Sequence, residues 1–217
     1  MSNLLGRSGN SAGRSLPPAP QAEILASLEL VRGDSLYRRG DADTGLFRVR
    51  AGLLKLFLET ASGRERITGI LGPGDLLGSL AGPGRLSGES AEALSRSVRV
   101  ELLDPCLSDT ERLAALSSQT EQLREALENS ELPVPCRLAR TFLRLAGRFG
   151  HGQEDGSVRL PLPLTHDNLA AMIGAARETT SFTLAELRRA GLIEGTRGSY
   201  LLQPEQLQDF AARNSLN

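Results

Sequence analysis

Hydrophobic positions change their period three times along this chain. From about Leu28 to Leu103 they come in short runs punctuated by glycine: LELV before Gly33-Asp34, SLYRR before Gly40-Asp41, LFRVRA before Gly52, LLKLFLET before Ser62-Gly63, and RITGIL before Gly72-Pro73-Gly74-Asp75. Within Leu46–Val49 and Leu54–Leu58 the apolar residues tend to alternate, as in half-buried strands, and Val98, Val100 and Leu102 alternate again. Strands at this spacing, each closed by a turn signal, predict a small antiparallel barrel or jelly roll.

The period then lengthens. Leu113, Leu116, Thr120, Leu123 and Leu127 are spaced 3-4-3-4, a heptad seam with one polar position. Ser108 or Asp109 can cap this helix, and Glu111 suits its first turn. An apolar stripe confined to two heptad positions is narrower than a surface helix packed on its own domain usually shows, which predicts a dimer seam; the alternative is a helix laid on its own barrel. Thr120, at the seam's centre, could set register or touch a ligand.

Pro133 and Pro135 interrupt the pattern and predict a hinge. A second amphipathic helix follows, with Leu138, Phe142 and Leu145 inward and Arg137, Arg140, Arg144 and Arg148 outward. The polar loop GHGQEDGS leads to an apolar strand, VRLPLPL. Thr165 can cap a helix to about Ile173, Gly174-Ala175-Ala176 makes a turn, and a helix from Arg177 to Ala190 stops at Gly191. LIEG-TR-GSYLL then reads as a two-stranded wing. The predicted organisation is α+β: a disordered tail over 1–21, a β-barrel over 22–106, a dimerisation helix over 107–132 and a winged helix-turn-helix over 133–217.

Composition narrows the chemistry. The 217 residues are 40% hydrophobic and 24% charged, with 4% aromatics and no Trp, so the cores are predicted to be aliphatic. No apolar run approaches the roughly 18 residues of a membrane span, and the N-terminus lacks a signal peptide's apolar core, so a cytoplasmic protein without membrane contact is expected. Two Cys, at 106 and 136, and two His, at 151 and 166, are too few for a four-cysteine cluster or a His-rich metal site. Both thiols are expected to be free and buried, with no support for a redox role. No GxSxG, P-loop or metal-ligand cluster marks an enzyme, and no metal or cofactor is expected. The net charge of −1 hides a split: residues 136–202 hold nine Arg against six acidic residues, and residues 21–135 are acidic.

That positive segment carries the candidate site. Arg177, Glu178, Ser181, Phe182 and Ala185 share one face of the second reader helix, most of them in its first two turns. A recognition helix meets base edges there: Arg can bridge O6 and N7 of guanine, and Glu can accept from the cytosine amino group. Thr165 and the wing residue Arg197 join this set as DNA-binding candidates.

The order barrel, long helix, hinge and winged helix-turn-helix resembles the Crp/Fnr family of bacterial transcription regulators over about residues 28–210. The most specific pieces are Gly74-Asp75-Leu76-Leu77-Gly78 and LTHDNLAAMIGAARETT. The resemblance implies that the barrel is a cyclic-nucleotide-binding-like β-roll, that Arg177 and Glu178 read bases, and that Thr179 contacts a phosphate. Where the family's motif carries a further Arg, this chain has Phe182, which can pack on thymine methyls or turn into the core. Ala176 stands where the family commonly has a capping Ser.

The resemblance also locates an effector cassette and its loss. In cyclic-nucleotide-binding relatives the cassette opens Gly-Glu-Leu and closes Arg-Ser/Thr-Ala, the Glu serving the ribose and the Arg the phosphate. Here it opens Gly78-Ser79-Leu80 and closes Glu89-Ser90-Ala91, with Arg85 a remote substitute. A carboxylate facing a phosphate is repulsive. The expectation is a homodimeric regulator, an activator of RNA polymerase, that binds double-stranded DNA at a two-fold symmetric site without cyclic AMP. The alternative is a regulator whose divergent β-roll pocket still takes a cyclic nucleotide or another small molecule.

Overall fold

The computed structural model describes residues 23–42, 45–78, 86–104, 131–196 and 198–214, and the single positions 113, 117, 120 and 124. Its first part comprises eight strands: β1 (Ile24–Val31), β2 (Ser35–Tyr37), β3 (Leu46–Ala51), β4 (Leu54–Glu59), β5 (Glu65–Leu71), β6 (Leu76–Gly78), β7 (Ser90–Ala93) and β8 (Ser97–Leu103). They form two antiparallel sheets, in the orders β1-β8-β3-β6 and β2-β7-β4-β5.

One turn motif recurs at three corners. In Gly33-Asp34, Gly40-Asp41 and Gly74-Asp75 the glycine has positive φ, and the Asp amide donates to the carbonyl three residues back. The Asp carboxylate in turn accepts from the amide of Val31, Arg38 or Gly72. Only glycine adopts that third turn position without strain, and the Asp side chain satisfies an amide the turn would orphan.

Between the sheets lies a core of Phe47, Val49, Leu54, Leu56, Leu77, Val98 and Val100 with Tyr37. The first four residues of β4 are all buried, so this strand is not half-buried as the alternation predicted. Its inner face fills the barrel, and its outer face is covered as well. Phe57, Ile67, Ile70 and Leu94 belong to the same apolar cluster as Leu138, Phe142, Leu169, Ile173 and Leu184 of the C-terminal part. Lys55, on β4, is buried between Glu65 at 2.6 Å and Glu92 at 3.1 Å, with its ammonium over the Phe57 ring. Two carboxylates therefore compensate the one buried lysine.

The C-terminal part comprises α1 (Val134–Phe149), β9 (His151–Gly152), β10 (Val158–Leu160), α2 (His166–Ile173), α3 (Arg177–Arg189), β11 (Ile193–Thr196), β12 (Ser199–Leu202) and α4 (Pro204–Asn214). Leu138, Phe142 and Leu145 line the buried face of α1. Phe142 packs edge-on against Tyr200, with ring centroids 5.1 Å apart, and the Tyr200 hydroxyl donates to the Leu164 carbonyl at 3.2 Å. An aromatic pair with its one polar atom bonded suits a dry core.

Several expectations need correction. The strand predicted through Leu164 ends at Leu160, because Pro161 and Pro163 cannot donate to a ladder. The two-stranded wing forms as the hairpin β11–β12, but it also continues into a sheet ordered β11-β12-β10-β9, and His151–Gly152 leaves the predicted loop to pair with β10. Not all α1 arginines point to solvent. Arg137 donates to the Ile173 carbonyl at 2.7 Å, and Arg148 donates to the Ile70 carbonyl and to Asp75 at 2.6 Å.

Of the predicted dimer seam, Leu113 and Thr120 are helical and exposed, as are Ser117 and Arg124. Leu116, Leu123, Leu127, the tail over 1–21 and Cys106 lie outside the described residues. Among the described residues, no helix is long and apolar enough to cross a membrane.

Candidate nucleic-acid interface

The reader's geometry starts from its caps. The Thr165 hydroxyl accepts from the Asn168 amide at 3.0 Å, while the Asn168 side chain accepts from the Thr165 amide at 3.0 Å. This reciprocal box fixes where α2 begins. Helix α2 ends at Gly174, whose φ of 61° is the left-handed conformation that closes a helix. Helix α3 starts after Ala176, which has extended backbone angles and supplies no side-chain cap. The residue alone predicted that missing cap.

Helix α3 then sorts its side chains. Thr180, Thr183, Leu184 and Leu187 are buried; Arg177, Glu178, Thr179, Phe182 and Ala185 are exposed. The hydroxyls of Thr180 and Thr183 bond back to the carbonyls of Ala176 and Thr179. Ser181 is half-buried, and its hydroxyl lies 2.8 Å from His166 Nδ1. It therefore ties α3 to α2 and does not stand free on the reading face. The sequence pattern alone assigns His166 no such role. Thr165, also predicted as a contact, is half-buried and engaged in its capping box.

Arg177 Nε lies 3.5 Å from Asp167 of α2, and both side chains are 64% exposed, so this pair is weak and leaves the guanidinium free to reach outward. Phe182 is 61% exposed, which removes the alternative that it turns into the core. Arg197 lies outside the described residues.

The barrel faces this site. A cleft of about 630 Å³ runs between the β4–β5 hairpin, with Thr60 and Arg64 of its turn and Arg66 of β5, and the reader, with Asp167, Gly174, Arg177 and Glu178. The Arg66 guanidinium sits directly over Gly174, filling the space a side chain there would need. Burial chiefly, and the charge of Arg137 beside it, push Arg66 below its ordinary value. The base-reading candidates are thus positioned through the barrel as well as through α1 and α2.

The cassette residues are spread over two environments. Gly78 ends β6, and Ser79, Leu80 and Arg85 lie outside the described residues. Ser90 and Ala91 are buried in β7, and the Ser90 hydroxyl accepts from the Arg39 amide at 3.0 Å. Glu89 is half-buried and accepts from the Thr68 hydroxyl at 2.9 Å. Burial raises its carboxyl above the ordinary range, and the Thr68 bond offsets part of that rise. Cys136 is fully buried in α1, and its thiol is raised by burial more than Arg140 lowers it, the opposite of a reactive thiolate. Among the described residues, no group of three or more His, Cys, Asp or Glu could hold a metal ion.

A β-roll joined to a winged helix-turn-helix with an exposed Arg-Glu helix start defines a DNA-binding transcription regulator. The cyclic nucleotide-binding domain matches residues 27–103, and the Crp-like helix-turn-helix domain matches residues 136–210. The chain belongs to the Crp/Fnr family of transcription regulators. It is 28% identical to the CRP-like cAMP-activated global transcriptional regulator of Mycobacterium tuberculosis, over 95% of this chain and 97% of that one. It is 30% identical to the transcriptional regulator LdrP of Thermus thermophilus, over 82% and 92%. Among solved structures, a transcriptional regulator of the CRP/FNR family from Thermus thermophilus superposes with a TM-score of 0.71 at 26% identity, covering 87% of this chain and 100% of that one.

Proposed function

We propose that this regulator acts in the cytoplasm as a homodimeric activator that binds a two-fold symmetric DNA site without cyclic AMP as its effector. Arg177 and Glu178 read bases, and Thr179 contacts a phosphate. The observation that carries this reading is the start of α3, where the side chains of Arg177, Glu178 and Thr179 stand exposed while the hydroxyls of Thr180, Ser181 and Thr183 bond within the domain. The exposed Leu113 on the heptad stripe supports a second copy as partner. Two such reading heads fit half-sites about one helical turn apart on one face of the duplex.

Glu89 supports the claim about the effector. The resemblance sets a phosphate-binding arginine where this chain has a carboxylate bonded to Thr68. Calorimetry with cyclic AMP and cyclic GMP is expected to give no micromolar binding; binding that strengthens DNA affinity would overturn the claim. RNA polymerase is the proposed second partner, and the His151–Ser157 segment is a candidate contact. It is exposed over most of its length, and Asp155 braces its turn by accepting from the amide and hydroxyl of Ser157.

A second reading keeps a ligand in a divergent β-roll pocket. The match of residues 27–103 to the cyclic nucleotide-binding domain favours it. The same calorimetry separates the two readings.

A further inference from the structure

We infer that Phe182 is a specificity-determining residue that reads the C5-methyl group of a thymine, one or two base pairs from the pair read by Glu178. The inference rests on the proposed reading of DNA by α3 and adds the base class that this chain's own helix selects.

On the first turns of α3, Thr180 and Thr183 are buried with their hydroxyls spent on the helix carbonyls, and Ser181 is spent on His166. Beyond Arg177, the exposed row is Glu178, Phe182, Ala185 and Arg189, spaced i, i+4, i+7 and i+11. Phe182 is the one large apolar side chain among the described residues of α3 that stands exposed, at 61%, while Leu184 and Leu187 beside it are buried. The helix core is therefore complete without it. A phenyl ring has no donor or acceptor for a base edge, so its contribution in a major groove is apolar, and the thymine methyl is the apolar group presented there. Ala185, one turn further on, extends the same small apolar strip. A separation of i, i+4 carries the side chain about 6 Å along the helix, against about 3.4 Å per base pair, which places its contact one or two pairs from that of Glu178.

The test uses the full-length chain. Its preferred duplex is selected from a random library, and each thymine of each half-site is then replaced singly by deoxyuridine, which keeps the pairing and removes only the methyl. One position per half-site is expected to lose about fourfold in affinity, the worth of one buried methyl. Phe182→Ala is expected to become insensitive to that replacement, Phe182→Leu to retain it in part, and Phe182→Arg to move the selected base from thymine toward guanine. Equal affinity for every deoxyuridine duplex, or the same deoxyuridine sensitivity in Phe182→Ala, would overturn the inference while leaving Arg177 and Glu178 as readers. Failure to select any sequence would overturn the parent reading, and this inference with it.

Discussion

Glu89 shows how much one side chain can decide. Its carboxyl is half-buried, takes a hydrogen bond from Thr68, and is raised chiefly by burial. A raised carboxyl holds its proton in the folded chain at pH values where the unfolded chain has lost it. Stability from this group is therefore full below the ordinary carboxylate range and falls as pH rises through the raised value. Glu89→Gln keeps the acceptor for Thr68 and removes the titration. In denaturant titrations across pH, the variant should match the parent in acid and become the more stable chain as pH rises. A difference independent of pH would show that burial of the charge is not the cause. The same carboxylate carries the proposal that this barrel takes no cyclic phosphate.

At the scale of elements, the two reader helices were legible because their ends carry unambiguous chemistry: Thr165 to start α2, and glycines at 174 and 191 to close α2 and α3. Less was legible where a residue's partner is distant in sequence. Nothing in the pattern of β4 and β5 says that Phe57, Ile67 and Ile70 face the reader's core, or that Arg66 lies over Gly174. Helix α4 was not predicted, although Pro204 at its start and Leu207, Phe210 and Ala211 at helical spacing were available to find it. Of the candidate site, the shared exposed face of Arg177 and Glu178 was legible from helical spacing; that Phe182 joins it, and that His166 engages Ser181, needed the packing of α3 against its neighbours. The bare start of α3 makes its own prediction. Ala176→Ser should add about 1 kcal/mol of stability by accepting from an orphaned amide of the first turn. Denaturant titration reads this directly, and an unchanged midpoint would mean that solvent already satisfies those amides.

For the molecule as a whole, one apolar cluster runs from the barrel's outer sheet into the reader, and Arg148 bridges the same two parts through Asp75 and the Ile70 carbonyl. The orientation of α3 is thereby set by the barrel, even with a divergent cassette. In the proposed dimer, the second copy supplies the second reading head. Leu113 is 64% exposed in the single chain. Leu113→Glu would bring like charges together across a two-fold seam, and sedimentation should show a shift from dimer toward monomer; an unchanged dimer would move the interface elsewhere. The most direct test of the account is selection from a random duplex library with no nucleotide present, using the full-length chain and its Arg177→Ala variant. A two-fold symmetric site is expected for the parent, and for the variant a loss of about 1–3 kcal/mol with one base position per half-site relaxed. A variant with unchanged affinity and preference, or a parent that selects its site only when cyclic AMP is added, would contradict it.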